Sequence, residues 1–327
     1  MDRDTHETQD TQETQDVVVA GGGAAGLSAA LVLARSRRRV LVVDAGEPRN
    51  APAAGVHAYL GRDGVAPAQL LADGRAEVAS YGGEVRPGRV VRARPTGDGF
   101  AVELADGSAV RARRLVLATG LVDVLPDVPG LAERWGVDVL HCPFCHGWEV
   151  RDRTVGVLVT HPLAVHQAQL FRELTDDLVV LAHGTVLPEE ELAGLRARGV
   201  RVVEGEVVAV EAGPEGLTGA RLASGEQVPL QALAVQTVMA GRADLLDDLG
   251  LALVEQEVAG RVVAASVPVD PTGRTSVPGV WAVGNLAEAR AQVVTAAAAG
   301  TFAGAAVHGD LVAEDVRAAV AAVAAAG

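Results

Sequence analysis

The sequence predicts an α/β fold in which two dinucleotide-binding-type domains are interleaved, the first of them carrying a β-meander. Three observations predict it. A short apolar strand runs straight into the glycine-rich turn Gly21-Gly22-Gly23-Ala24-Ala25-Gly26 and then a helical pattern. The same strand–helix–strand alternation returns from about residue 154. Between the two lie tight-turn signals, Thr96-Gly97-Asp98-Gly99 and Asp106-Gly107, each flanked by β-like segments.

Length and composition set the outer bounds. A chain of 327 residues is long enough for about two domains. It is 49% hydrophobic but only 3% aromatic, so its core must be built from Ala, Val and Leu. The formal charge of −14 argues against nucleic-acid and acidic-membrane partners, because no basic stretch offsets it. Arg37-Arg38-Arg39 is the longest basic run and reads as a solvated helix end. Residues 1–16 have no charged start followed by an apolar run, so a cytoplasmic location is expected. The Ala-rich stretch 293–306 comes nearest to a membrane span but is too short and broken by glycine.

In chain order, residues 1–15 repeat Glu-Thr-Gln-Asp-like units and are expected to form a disordered tail. Residues 16–20 read as a buried parallel strand, followed by a helix to about Arg37 and a second strand at 40–43 that ends at Asp44. Gly21, Gly23 and Gly26 satisfy G-x-G-x-x-G, and Asp44 follows at the distance expected for a ribose hydroxyl. Glycines there let backbone amides approach a pyrophosphate at a helix N-terminus, where the dipole favours negative charge. Residues 47–71 are expected to be loop. Short strands are expected at 90–93, 100–104 and 109–114, then a buried strand at 115–120. The second half predicts a strand at 154–159, a helix at 163–174, strands at 178–182, 200–204 and 206–211, a last strand and polar turn at 279–285, and a helix from about Gln292.

Both cysteines stand in His141-Cys142-Pro143-Phe144-Cys145-His146. Two cysteines do not make a disulfide scaffold, so the pair is catalytic, metal-binding or cofactor-linking. Cys142 to His146 also spells the haem-attachment motif, but attachment normally requires export, and no export signal is found. Zinc is disfavoured because histidines adjacent to the cysteines are poorly spaced to close a tetrahedron; no metal is expected. A redox dithiol fits best: its thiols are acidified by their surroundings, and His141 or His146 accepts the proton of an incoming thiol. Glu149 and Asp152 read as solvated. His57, His161 and His166, with Trp135, Trp148 and Trp281, read as surface or packing residues.

With these motifs placed, the chain resembles the low-molecular-weight thioredoxin reductase family over nearly its whole length after the tail. The landmarks are the Gly21–Gly26 turn, Ala118-Thr119-Gly120, the Cys142–Cys145 pair, and residues 275–285 with the helix after them. The resemblance implies a thioredoxin reductase-like pair of Rossmann-like domains, FAD and a homodimer. It implies FAD-binding segments at 16–125 and 266–327 around a middle domain at 126–265. It also implies FAD contacts from Gly21, Gly23, Ala24, Ala25, Gly26, Asp44, Ala45, Asn50, Val91, Ala118, Thr119, Gly120, Gly284, Asn285, Gln292 and Val293. Cys142-Pro143-Phe144-Cys145-His146-Gly147-Trp148-Glu149 is most similar to the gliotoxin- and holomycin-type dithiol oxidases. Those enzymes close disulfides in small natural products and discharge the flavin onto oxygen. By the same likeness Cys145 sits against the flavin and Cys142 faces the substrate.

The departures are informative. A reductase of this family carries a second glycine loop for NADPH, and here Val159, His161 and Ala164 stand at its three positions. Side chains there block backbone approach to a pyrophosphate. His183-Gly184 replaces the basic group for a 2′-phosphate, so NADPH is not expected to bind. The family's acid after the second cysteine is His146, and Asn285 stands where an Asp meets the ribityl chain, a place an amide can also serve. The expected activity is oxidation of a small-molecule dithiol, with O2 as acceptor and H2O2 as product, within natural-product (antibiotic) biosynthesis. The alternatives are a disulfide reductase fed by ferredoxin or a deazaflavin, and a non-catalytic flavin redox sensor.

Overall fold

The computed structural model describes residues 14–326. Strand β1 (Thr14–Ala20) starts two residues before the predicted strand. Thr14 and Gln15 therefore pair with Arg111 and Ala112 instead of belonging to a tail, and the rest of the predicted tail lies outside the described residues. Helix α1 (Ala24–Arg35) and strand β2 (Val40–Asp44) complete the predicted βαβ unit. The helix stops short of Arg37 because that residue turns to φ 61°. Helix α2 (Pro67–Ser80) was not foreseen; only Pro67, Leu71 and Val78 of its 14 residues are buried, too few for a readable apolar period. It leads to the edge strand β3 (Glu84–Pro87).

The meander follows as β4 (Val90–Thr96), β5 (Gly99–Leu104) and β6 (Ala109–Leu117). The two strands expected at 109–114 and 115–120 are one strand, β6. Strand β7 (Leu121–Val124) then leaves this sheet. The middle lobe runs through β8 (Val139–Leu140), helix α3 (Pro143–His146), β9 (Val155–Leu158), α4 (Ala164–Phe171) and β10 (Leu178–Leu181). It continues with α5 (Glu189–Ala197), β11 (Arg201–Val203), β12 (Val207–Gly213), β13 (Gly216–Leu222), β14 (Gln227–Pro229) and β15 (Ala232–Val235). Its sheet is parallel throughout, in the order β11-β10-β9-β15-β8, with β12-β13-β14 as a small antiparallel sheet beside it.

The chain returns through β16 (Val238–Gly241), α6 (Leu246–Leu249), β17 (Val254–Val258) and β18 (Arg261–Ser266), then β19 (Val280–Ala282) and the long helix α7 (Val293–Ala326). Strand β19 pairs with the second half of β6, Val280 opposite Leu115, whereas the first half of β6 pairs with β5. That change of partner along one strand explains why its sequence looks like two. The first sheet has the order β3-β2-β1-β6-β5-β4, with β19 joined to β6. Strands β7, β16, β17 and β18 form a separate sheet. Leu245, Leu246 and Leu249 bury themselves with Val90, Phe100 and Leu104. Residues 238–265, which the sequence reading gave to the middle lobe, thus pack on the first lobe, and we place the hand-over near Thr237.

Candidate active site

A cavity of about 610 Å³ opens at the carboxyl ends of the parallel strands of both lobes. That is where open α/β sheets bind ligands, since the loops there splay apart. The first lobe contributes the turn after β1, the end of β2 and the turn after β6. The middle lobe contributes His141, all of α3 and the β9–α4 turn. Of the residues expected to hold FAD, all but Gly26 and Val91 border this cavity. Gly26 instead lets α1 close on the β1 turn, because a Cβ there would lie 2.0 Å from the Gly21 carbonyl oxygen. The Val91 side chain is exposed, and Arg89 and Val90 border the cavity in its place.

The crevice fits FAD. Gly21 has φ 109° and lies so close to Ala118 that a Cβ would stand 2.4 Å from its carbonyl oxygen, so no other residue is accommodated. At Gly23 a Cβ would meet nothing within 4 Å. No side chain caps α1, which starts there, so its first amides are left for an anion. Thr119 Oγ1 is buried with no partner among the described residues. Asp44 braces the turn: its Oδ1 accepts the amides of Gly22 and Gly46 at 3.3 and 3.2 Å, and its Oδ2 accepts Arg75 at 3.2 Å. Asn285 donates its amide to the carbonyls of Glu288, Ala289 and Ala291 at 3.2, 3.1 and 2.9 Å. Three carbonyls require a donor, which accounts for an amide here, and Oδ1 has no partner among the described residues.

Cys142 begins α3 and Cys145 follows one turn later; both are half-buried free thiols. The Cys145 thiol hydrogen-bonds Cys142 and brings its pKa down to about 7, helped by the amides of Phe144 and Cys145 and the charge of Arg49, against the opposing effect of burial. Cys145, which holds the shared proton, is pushed up. Cys142 is therefore the thiolate of the pair. His141 Nδ1 lies 3.2 Å from the Val235 carbonyl oxygen, which can only accept, so the proton sits on Nδ1 and Nε2 keeps its lone pair. Burial holds both His141 and His146 below the ordinary histidine value. His146 Nε2 has no partner among the described residues.

Several bordering residues were not singled out by sequence. Arg49 grips Asp123 with two hydrogen bonds of 2.6 Å, and Thr237 donates to the same carboxylate at 2.7 Å. Only their spatial convergence marks them, since 74 and 114 residues separate the partners. His57 stands between Asp63 (3.5 Å) and Glu149 (3.4 Å), so Glu149 links the two lobes instead of being merely solvated. Trp135, His161 and His166 border the cavity as well, whereas Trp281 is fully buried packing and Trp148 is exposed under Arg151. Among the described residues no cluster of three or more His, Cys, Asp or Glu suits a metal ion, and no helix is long and apolar enough to cross a membrane.

Known proteins resemble this chain over nearly its whole length. The profile of the family described as pyridine nucleotide-disulphide oxidoreductase matches residues 15–300. The chain is 34% identical over 306 residues to thioredoxin reductase tcpT of Claviceps purpurea (strain 20.1), covering 90% of this chain and 93% of that one. It is 33% identical over 314 residues to thioredoxin reductase sirT of Leptosphaeria maculans, with the same coverage. The crystal structure of HlmI superposes with a TM-score of 0.87 at 47% identity, covering 95% of this chain and 96% of the other. The chain belongs to the pyridine nucleotide-disulphide oxidoreductase family and is a thioredoxin reductase-like flavoprotein oxidoreductase whose cofactor is FAD.

Proposed function

We propose that this flavoprotein is a dithiol oxidase, closing an intramolecular disulfide in a small natural-product dithiol with O2 as acceptor and H2O2 as product. The observation that carries the reading is the shared cavity. The dithiol and the glycine-turn crevice open into it together, while the side chains of Val159 and His161 occupy the β9–α4 turn. A nicotinamide dinucleotide needs bare backbone in such a turn, so electrons enter through thiols instead.

Held in the crevice by the glycine turn after β1, FAD would supply the two-electron acceptor for the pair. The rest is done by side chains. With Cys142 and Cys145 joined as a disulfide, a substrate thiolate attacks the Cys142 sulfur, and Cys145 leaves as a thiolate. The second substrate thiolate attacks the substrate sulfur of the mixed disulfide, forming the product bond, and Cys142 leaves. A thiol with a pKa of about 7 leaves readily. The substrate thus loses two electrons and two protons. In this reading His141, whose Nε2 keeps its lone pair, takes one proton, and His146, kept neutral by burial, is the candidate for the other. We carry the homodimer forward as part of this reading.

Purified protein should be yellow and should consume oxygen with a dithiol present and NADPH absent. Cys142→Ser and Cys145→Ser should each lower turnover by about a hundredfold or more. Full turnover in Cys145→Ser, or rapid bleaching by micromolar NADPH alone, would falsify the mechanism. The names of the relatives favour a second reading, a disulfide reductase with another donor. It predicts bleaching by reduced ferredoxin or deazaflavin without any dithiol.

A further inference from the structure

His161 has no part in the cycle above, yet its surroundings are unusual. It sits in the β9–α4 turn, only 7% exposed, and borders the cavity that holds Cys142 and Cys145. Its Nδ1 accepts the Leu163 amide at 3.1 Å, which fixes the ring proton on Nε2. That Nε2–H is buried and has no partner among the described residues. Burial, then the charges of His141, Arg261 and Arg290, keep the ring below the ordinary histidine value, so at neutral pH it is a neutral donor. His161 is thus the tautomeric opposite of His141: one offers a lone pair, the other a proton held in place.

A buried donor without an acceptor carries an unrepaid desolvation cost, which Leu or Phe at this position would avoid. Of the groups that bear on it electrostatically, Arg261 and Arg290 are positively charged at neutral pH, and Arg261 also donates to the Thr160 carbonyl at 2.9 Å beside it. The position therefore suits an oxygen acceptor of negative or partly negative charge.

We propose that His161 is a substrate-binding residue whose Nε2–H donates to an acceptor oxygen of the dithiol, a carbonyl or carboxylate remote from the sulfurs. This rests on the dithiol-oxidase reading. The turn that no longer suits a dinucleotide then selects among dithiols, because a site with a committed donor discriminates against ligands lacking an acceptor.

The test uses the FAD-loaded enzyme and three dithiols: dihydrolipoate, dihydrolipoamide and 1,3-propanedithiol, which has no oxygen. For His161→Phe, KM for at least one oxygen-bearing dithiol should rise about tenfold with kcat little changed, while propanedithiol is unaffected. An effect on dihydrolipoate alone assigns the acceptor as a carboxylate; an effect on both shows that a carbonyl suffices. His161→Gln, which keeps a donor, should retain part of the discrimination and guards against misfolding of the Phe variant. Equal losses on all three dithiols, or no loss on any, would overturn the assignment and leave the ring as wall or the partner of a buried water. Wild-type protein inert toward all three would instead overturn the oxidase reading, and this one with it.

Discussion

Cys145 does two things to its neighbour: it shares a proton with Cys142, and in the proposed cycle it closes the disulfide. The first can be isolated. In Cys145→Ala the hydrogen bond that contributes most to the low value at Cys142 is lost, while the burial that opposes it remains. The alkylation rate of Cys142 by iodoacetamide should then titrate well above 7, moving toward the ordinary thiol value, and at pH 7 should fall roughly tenfold. An unchanged midpoint would mean that Arg49 and the backbone amides set the acidity by themselves. At this scale the sequence was legible where chemistry is local. The glycine turn and the Cys-x-x-Cys pair declare themselves by spacing, and so did the loss of glycine at Val159 and His161. The Arg49–Asp123–Thr237 contact was not legible, because its members are far apart in the chain. Nor was the tautomer of His161, which depends on one backbone amide.

Helices α1 and α7 meet through positions with no side chain. A Cβ at Gly300 would stand 2.0 Å from the Ala25 carbonyl oxygen, and one at Gly304 2.7 Å from that of Ala29. Backbone cannot yield as a side-chain tip can, so Gly300→Ala must push α7 away from the helix that starts at the glycine turn. Alanine gains about 1 kcal/mol of helix propensity, but overpacking costs about 1–3 kcal/mol and the cavities it opens add to that. We expect a net loss of about 2 kcal/mol, a fall in Tm of roughly 4–8 °C, and weaker FAD retention. Gly309→Ala is the control: nothing lies within 4 Å of its Cβ, so propensity alone should raise Tm slightly. Equal behaviour of the two variants would refute the close-approach argument. The start of α7 was readable from its sequence, but which of its glycines are contacts was not. The missed α2 has the same cause in reverse, a helix exposed on most faces that leaves little periodic signal.

At the scale of the whole molecule, interleaving was legible because strand-like runs at both ends of the chain suit one buried sheet, and β19 does pair with β6. The hand-over that we place near Thr237 was not, since β16 looks like any other short apolar strand until β7 and β18 flank it. The proposed homodimer belongs to the same scale. Beyond Leu311, the last buried residue of α7, Val312, Val316, Val320 and Val323 recur at spacings of three and four along one stripe and are 41–75% exposed, with Phe302 at 68% below them. On other faces of the helix, Asp310, Glu314 and Asp315 are held by Arg113 and Arg114. The stripe itself carries no charge, so a second copy can cover it with its own stripe across a two-fold axis, as an isologous interface requires. Replacing Val316 and Val320 together by Glu places two carboxylates from each copy against each other in that seam. Light scattering should then show wild-type protein at twice the 33.4 kDa chain mass and the double variant at the mass of one chain, with the flavin spectrum unchanged. A wild type at the mass of one chain would remove the homodimer from the proposal. A double variant that stays dimeric would move the interface to another face.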